Sequence, residues 1–561
     1  MIVTLDEYPA TTPLQATVCI VGAGAAGIAL ACELDGSAHS VLLVEAGGLR
    51  LDEAASNELY RGTALAPHPN PSEYRRVVFG GTTAIWGGRC VPFDPIDFER
   101  RDYVADSGWP ISYADVAPYY PRAMSYCDAG DFDFSVGGSL PDAIPTIPGL
   151  AEQRVILADR IERYSLPTDF GQKFRAQLAR SRNVTVLLHA RCTRLHRGAG
   201  TDRIASIDLV GPAGRTHSVQ AQVFALALGG IETPRLMLNS DPDGAGLGNQ
   251  SDRVGRYYAC HFENFLGRMV AERGQVAFDF EKTRDGIYCR RKLQFSAEAQ
   301  REHRLLNTAL RLHFPAYSDA SHRSPVLSAI FLAKSALIKE YQAILQHGGE
   351  PAVRSPAWAH LRNVALGLPE LGSFAYQWIF LRNLARRKLP YTLVRNHDGS
   401  YPIEFNSEQT PLASSRLTLT PDVDRDGLRR VHVDWRLCSE DVAAAQRAFG
   451  LLQQVMNGHS SCRLEFDAEH LAQSIGRSIP LGGHHIGTTR MAASARDGVV
   501  DRDCAAFELP NLYIASASVF ATSGHANPTL TIVALTLRLA DHLKKRLGAG
   551  VPAAVAPAAR P

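Results

Sequence analysis

Residues 18–48, VCIVGAGAAGIALACELDGSAHSVLLVEAGG, place the tightest limit on what this chain can fold into. An apolar run, Val18 to Val21, meets a turn carrying Gly22, Gly24 and Gly27, and a second apolar run, Val41 to Val44, ends at Glu45. This pattern predicts one strand–helix–strand unit of a buried parallel sheet. Gly22 permits the tight turn, Gly24 lets backbone N–H groups approach a pyrophosphate, and Gly27 lets the helix lie close to the strand. The helix N-terminus then points at the anion. Glu45 falls where a carboxylate accepts hydrogen bonds from an adenosine ribose. Dinucleotide binding is the reading, with FAD and NAD both open on this stretch alone.

With 561 residues, 45% hydrophobic and 21% charged, the chain can bury large cores and is expected to hold two intimately connected domains. A formal net charge of +2 excludes the strongly basic balance of a nucleic-acid-binding protein. The ten cysteines contain no CxxC pair, so neither a zinc site nor a disulfide framework is signalled, and no metal is expected. The N-terminus MIVTLDEYPATT lacks the basic and apolar regions of a signal peptide, and no run of apolar residues is long enough to span a membrane. A reduced, cytoplasmic setting is the expectation. The Ala/Pro/Gly-rich tail, 548–561, reads as disordered.

Further along, residues 74–98 hold two Gly-Gly pairs, two threonines, a tryptophan and two prolines, which predicts an ordered functional loop. Its Gly80, Gly81, Thr82 and Thr83 offer backbone and hydroxyl donors to a cofactor. Ser112 reads as a helix N-cap, with Trp109, Tyr113, Tyr119 and Tyr120 as core aromatics. Residues 184–195 and 220–238 read as strands followed by a helix after Gly229-Gly230 that again aims its positive end at the cofactor crevice. The alternation of 415–437 about Asp426-Gly427 predicts a hairpin. His261 is a candidate pocket residue, with a satisfied structural histidine as the plainer reading. Residues 323–388 carry nine Lys/Arg and three Glu among apolar helical stretches. They read as a lid, a protomer contact or a membrane-surface element, with ordinary amphipathic capping helices as the plain reading.

Taken in order, GAGAAG with Glu45, GGTTAIWGG, ALGGIETPRL, SRLTL, HHIGT and NPTLT resemble the glucose–methanol–choline (GMC) oxidoreductases, a family of FAD flavoproteins. The resemblance covers most of the chain but little of 256–400. It implies an α/β fold with a Rossmann-like FAD-binding domain, residues 1–255 with 480–547. The rest, 256–479, would be a sheet-plus-helices substrate domain with a helical cap at 321–395. Matched to the family's HxxGT and last-helix motifs, His484 and Asn527 face the flavin, with His485 behind them and His525 outside the matched position. The cofactor-contacting set implied is Gly22, Gly24, Ala25, Ala26, Gly27, Glu45, Ala46, Gly80, Gly81, Thr82, Thr83, Trp86, Cys192, Gly229, Ser516, Asn527, Pro528 and Thr529.

The terminal motifs also resemble those of pyranose oxidase and of bacterial relatives acting on sugars and glycosides. Where pyranose oxidase carries a flavin-linking histidine, this chain has Ile85, so FAD is expected to be held noncovalently. Where many members have an acid before the last loop, this chain has Ser516. The resemblance implies oxidation of an alcohol, foremost a secondary hydroxyl of a sugar or glycoside, with His484 as base and oxygen or a quinone-like compound as electron acceptor. A lipophilic or sterol alcohol, a redox-neutral flavin lyase and a flavin-binding interaction protein are the alternatives. Self-association is left open, and membrane-surface contact is the less favoured reading of 321–395.

Overall fold

The computed structural model describes residues 1–548 except 9–13, 143, 148, 151–152, 242–243, 272–275, 316, 334–354, 391–393, 395–396, 460–461 and 481–482. The tail beyond 548 and the middle of the 321–395 segment therefore lie outside the described residues.

Two sheets carry the architecture. In the first, Leu14–Val21 lies between Val41–Val44 and Thr216–Leu226, with Val184–Leu188, Ile2–Thr4 and Leu509–Ile514 continuing the parallel array. The strands Arg191–Arg197 and Ile204–Val210 extend it antiparallel. Both faces are covered, which is why Val18 to Val21 and Val41 to Val44 are apolar at every position. Helix Ala25–Leu34 is built of small residues and is buried almost all round. It packs against the last helix, Thr529–Gly548, so the C-terminal end of the chain completes the domain begun at residue 14.

The second sheet runs in the order Cys462–Glu465, Phe262–Ala271, Ser400–Ser407, Thr308–Leu312, Tyr288–Phe295, Ile156–Tyr164, Arg89–Cys90, all antiparallel. The last two of these strands lie inside the interval 1–255 that the sequence reading gave wholly to the cofactor domain. Their residues serve the second sheet because Ile156–Tyr164 supplies a carboxylate to it, described next, while the polar alternation of IERY carries no mark of which sheet will claim it.

Successive residues point to opposite faces of a strand, and in this sheet both faces are buried. Leu293, Phe295, Leu310, Leu312, Ile403 and Phe405 form the apolar face, under helix Ser439–His459. Phe449, Leu452 and Met456 of that helix recur at helical spacing, and each contributes about 1.5–3 kcal/mol by leaving water. The opposite face carries Glu162, Arg290, Lys292, Gln294, Arg311, Glu404 and Asn406. At its centre the fully buried Arg311 donates from Nε and Nη2 to Glu162 at 2.9 and 2.6 Å, and from Nη1 to Glu404 at 2.6 Å. Burial alone would raise the Glu162 pKa, but Arg311 and Arg89 hold it down at about 2. His313 closes the cluster with a bond to Glu404.

A small third sheet pairs Arg416–Val423 with Arg429–Asp434 as the expected hairpin, turning through Gly427 at φ +84°. Thr63–Ala64 adds a parallel edge to it. The described part of 321–395 is helical: Pro325–Ala333, Ala357–Leu366, Leu368–Tyr376 and a π-helical turn set, Gln377–Leu384.

Arg311→Met tests the charged face. It leaves Glu162 and Glu404 buried without their guanidinium, and a loss of about 3–5 kcal/mol at pH 7 is expected from urea unfolding. In the wild type the lowered pKa of Glu162 contributes stability above its unfolded value of about 4.3, and that contribution fades as pH falls toward about 2. The gap between the two proteins therefore narrows in acid; a gap that stays constant as pH falls from about 5 to about 2 would contradict the assignment.

Candidate active site

The nucleotide turn follows from close backbone contacts. A Cβ on Gly22, whose φ is +102°, would lie 2.7 Å from the Ala227 carbonyl oxygen, and one on Gly27 would lie 1.8 Å from the Gly22 carbonyl oxygen. Helix and strand are thus as close as glycine allows. At Gly24, by contrast, a Cβ would meet nothing within 4 Å. The empty space there is the end of a cavity of about 250 Å³ that continues to His484, Pro528 and Thr529.

Most of the residues implied by sequence line this cavity: Gly22, Gly24, Ala25, Ala26, Glu45, Ala46, Gly81, Thr82, Thr83, Trp86, Cys192, Gly229, Ser516, Pro528 and Thr529. Three do not. Gly27 serves helix packing; Gly80 ties the loop to the turn by donating its N–H to the Ala23 carbonyl at 2.8 Å; Asn527 acts on a histidine instead. Glu45 is clamped by the N–H groups of Ala23 at 2.9 Å and Gly47 at 2.8 Å. Burial outweighs these bonds and pushes its carboxyl up to about 7. Trp86 is fixed by its indole N–H on the Thr168 carbonyl at 2.9 Å. The hydroxyl of Ser516 receives the Ser518 N–H at 3.2 Å and caps the short helix Ala517–Val519.

FAD fits this cavity. A Gly24 without a side chain faces its open end at the start of a helix, a carboxylate stands at the end of the next strand, and the far end reaches His484. Sequence reasoning missed other lining groups. Arg75 and Glu232 pair at 2.7 Å within the lining, and Arg191 joins them. Glu232 sits inside ALGGIETPRL, and a carboxylate at the start of a glycine-led helix is the signal that was available.

At the far end three side chains from distant parts of the chain meet. His484 Nδ1 is 3.0 Å from His261 Nδ1, and Asn527 Nδ2 is 3.0 Å from His484 Nε2. The tautomers follow from the Ser523 carbonyl, 3.1 Å from His261 Nε2. A carbonyl only accepts, so His261 carries its proton on Nε2 and presents a bare Nδ1. His484 then donates from Nδ1, which leaves its Nε2 lone pair free to accept from the Asn527 amide. Burial, and after it His261, Arg89, His485 and Arg311, hold the His484 pKa well below the ordinary histidine range. Burial brings His261 to about 4. The candidate His261 is thus joined directly to His484.

His485 is displaced from this pair, stacks on Tyr258 and is kept neutral by burial and by Arg75. His525, two residues before Asn527, accepts from the buried Lys292 and has its Nδ1 3.6 Å from Asp94. The charged face of the second sheet therefore backs the loop that carries Asn527. The described residues contain no group of side chains suited to hold a metal ion.

The chain is similar in sequence and in fold to known proteins. Residues 411–536 match the family model described as GMC oxidoreductase. The 2-methyl-1,2-propanediol dehydrogenase of Mycolicibacterium austroafricanum is 22% identical, the alignment covering 96% of each chain. The 6'''-hydroxyparomomycin C oxidase of Streptomyces lividus is 23% identical over 96% of this chain and 93% of its own. In fold, pyridoxine 4-oxidase from Mesorbium loti superimposes with a TM-score of 0.52 at 17% identity, over 94% of this chain and 99% of that one.

Gly24→Val separates the cavity from the fold. Gly24 has an ordinary negative φ of −81°, and its added side chain projects only into the cavity. The variant is expected to keep the wild-type circular dichroism and the thermal midpoint of flavin-stripped wild type while purifying without flavin absorbance. Full flavin occupancy would remove this turn from the cofactor site.

Proposed function

We propose that this chain, whose residues 411–536 match the GMC oxidoreductase model, is an oxidoreductase of that family that oxidises a secondary hydroxyl of a sugar or glycoside, with FAD held noncovalently. The observation that carries this reading is the His484 Nε2 lone pair paired with the Asn527 amide at 3.0 Å. A substrate hydroxyl entering between them donates to Nε2 and accepts from Asn527 Nδ2. FAD, when bound, supplies the acceptor for the hydride leaving the carbinol carbon. The chain supplies the rest. His484 takes the hydroxyl proton at Nε2; His261 Nδ1 fixes the tautomer that leaves this lone pair free and accepts from the imidazolium that forms. Asn527 holds the oxygen and stabilises its developing charge.

The charged and amide side chains of the sheet face behind the site are buried and bonded to one another, so the substrate class rests on the relatives. A diol dehydrogenase and a hydroxyparomomycin oxidase among the relatives agree with a polar alcohol. Oxygen or a quinone-like compound would reoxidise the flavin. Noncovalent attachment is supported at two positions. Ile85 offers no nucleophile, and burial pushes the Cys192 thiol to about 12, so it is not a thiolate. Residues 1–255 with 480–547 remain the proposed cofactor unit, with strands at 89–90 and 156–164 lent to the substrate unit, 256–479.

Acid precipitation is expected to release FAD into the supernatant; yellow colour kept in the pellet would refute noncovalent binding. In stopped-flow reduction by a panel of sugars and glycosides, His484→Ala is expected to slow flavin reduction by roughly 10² to 10⁴ with FAD still bound. Asn527→Ala is expected to slow it as the loss of one donor to developing charge does, by about 2.7–4 kcal/mol at most. Because the His484 pKa is lowered, wild-type reduction stays level through neutral pH and falls only below the ordinary histidine value of about 6.5. That acid limb disappears in His484→Ala. His261→Leu slows reduction, and His261→Gln, whose amide can accept from His484 and donate to Ser523, restores part of it. A reduction rate in His484→Ala near that of the wild type, with His485→Ala or His525→Ala crippled, would move the base elsewhere.

A further inference from the structure

The helices Ala357–Leu366 and Leu368–Tyr376 and the π-helical stretch Gln377–Leu384 turn an apolar face outward. Trp358 is 66% exposed, Leu366 75% and Leu384 69%, and Leu361, Tyr376 and Phe380 stand beside them at more than half or about half exposure. The inner sides of the same elements are anchored. His360 is buried and stacks on Phe331 at 3.9 Å, while Leu381 packs with Tyr164, Tyr288 and Leu389. The outward residues are therefore held in place with nothing among the described residues covering them.

Within these elements the charge is almost all of one sign. Arg362, Arg386 and Lys388 are exposed among the apolar side chains, with Arg382 and Arg387 partly exposed behind them. From 355 to 390 the only acid is Glu370, and it is paired with His397 at 2.8 Å. We infer that this face docks on an anionic lipid bilayer, its aromatic and leucine side chains entering the headgroup boundary and its cations meeting lipid phosphates. A second copy of the chain fits less well. A twofold contact would set Arg362, Arg386 and Lys388 against their own kind with no acid to pair them. Trp and Tyr with an apolar body and a polar edge, ringed by Arg and Lys, are the residues of an interfacial helix. Nor does the face cross the bilayer, since no described helix is long and apolar enough to do so.

The test is sedimentation of the full-length flavoprotein with vesicles of phosphatidylcholine, with and without phosphatidylglycerol. Binding is expected with phosphatidylglycerol and not without it. Exchanging the three exposed cations, Arg362→Gln, Arg386→Gln and Lys388→Gln together, is expected to weaken it on the order of 100-fold. Trp358→Ser, Phe380→Ser and Leu384→Ser together should abolish it, with flavin content and the flavin reduction rate unchanged. Failure of the wild type to pellet with phosphatidylglycerol vesicles overturns the inference, as does equal pelleting of the W358S/F380S/L384S protein. A dimer in sedimentation velocity that the same serine changes dissociate, without vesicle binding, would assign the face to a second copy instead.

Discussion

Arg311, held between Glu162 and Glu404, is the contact on which the arrangement of the second sheet and the site in front of it depends. A guanidinium or carboxylate without a partner costs several kcal/mol to remove from water. Here each edge of the guanidinium meets a carboxylate oxygen, and the remaining carboxylate lone pair of Glu404 meets His313. That complete pairing lets a sheet keep one charged face out of solvent. Lys292, Gln294 and Asn307 can then reach across to His525, Asp94 and Asp97. The loop bearing Asn527 is thereby held against a rigid polar wall.

The same cations set the protonation of the site. Arg311 and Arg89 add a positive field to the cost of burying His484, so the imidazole stays neutral. A neutral pair of histidines has one proton to share across a 3.0 Å contact, and the Ser523 carbonyl decides which nitrogen keeps it. Polarity and protonation state thus come from one set of side chains: a wall that carries charge for structure also keeps the lone pair of its neighbour available.

Local features were legible in the sequence. The glycine turn with Glu45, the helix after Gly229, the Ser112 capping box and the hairpin at Gly427 are each fixed by residues within a few positions of one another. Much of the cavity could be named for the same reason, since its residues fall in a few short motifs. What was not legible is nonlocal. In the strand Tyr288–Phe295, Arg290, Lys292 and Gln294 alternate with Leu293 and Phe295, yet every residue of it is buried. Alternation reports that two faces differ; it does not report that a second domain covers the polar one. His261 lies 223 residues from His484, and no spacing rule joins them. Likewise, the strands at 89–90 and 156–164 leave their neighbours in sequence for a sheet made mostly of residues beyond 260.

Helix Ala25–Leu34 packs against helix Thr529–Gly548, and 494 residues lie between the end of the one and the start of the other. At a translation rate of about 5–20 residues per second, the first helix waits roughly 25–100 s for its cover. Throughout that interval the nascent chain on the ribosome exposes the apolar side of its nucleotide fold. The cavity also lacks the wall formed by residues 515–517 and 528–529. Loading of the cofactor is therefore among the last events in the life of the nascent chain, and protection of that first helix falls to whatever meets it at the ribosomal exit.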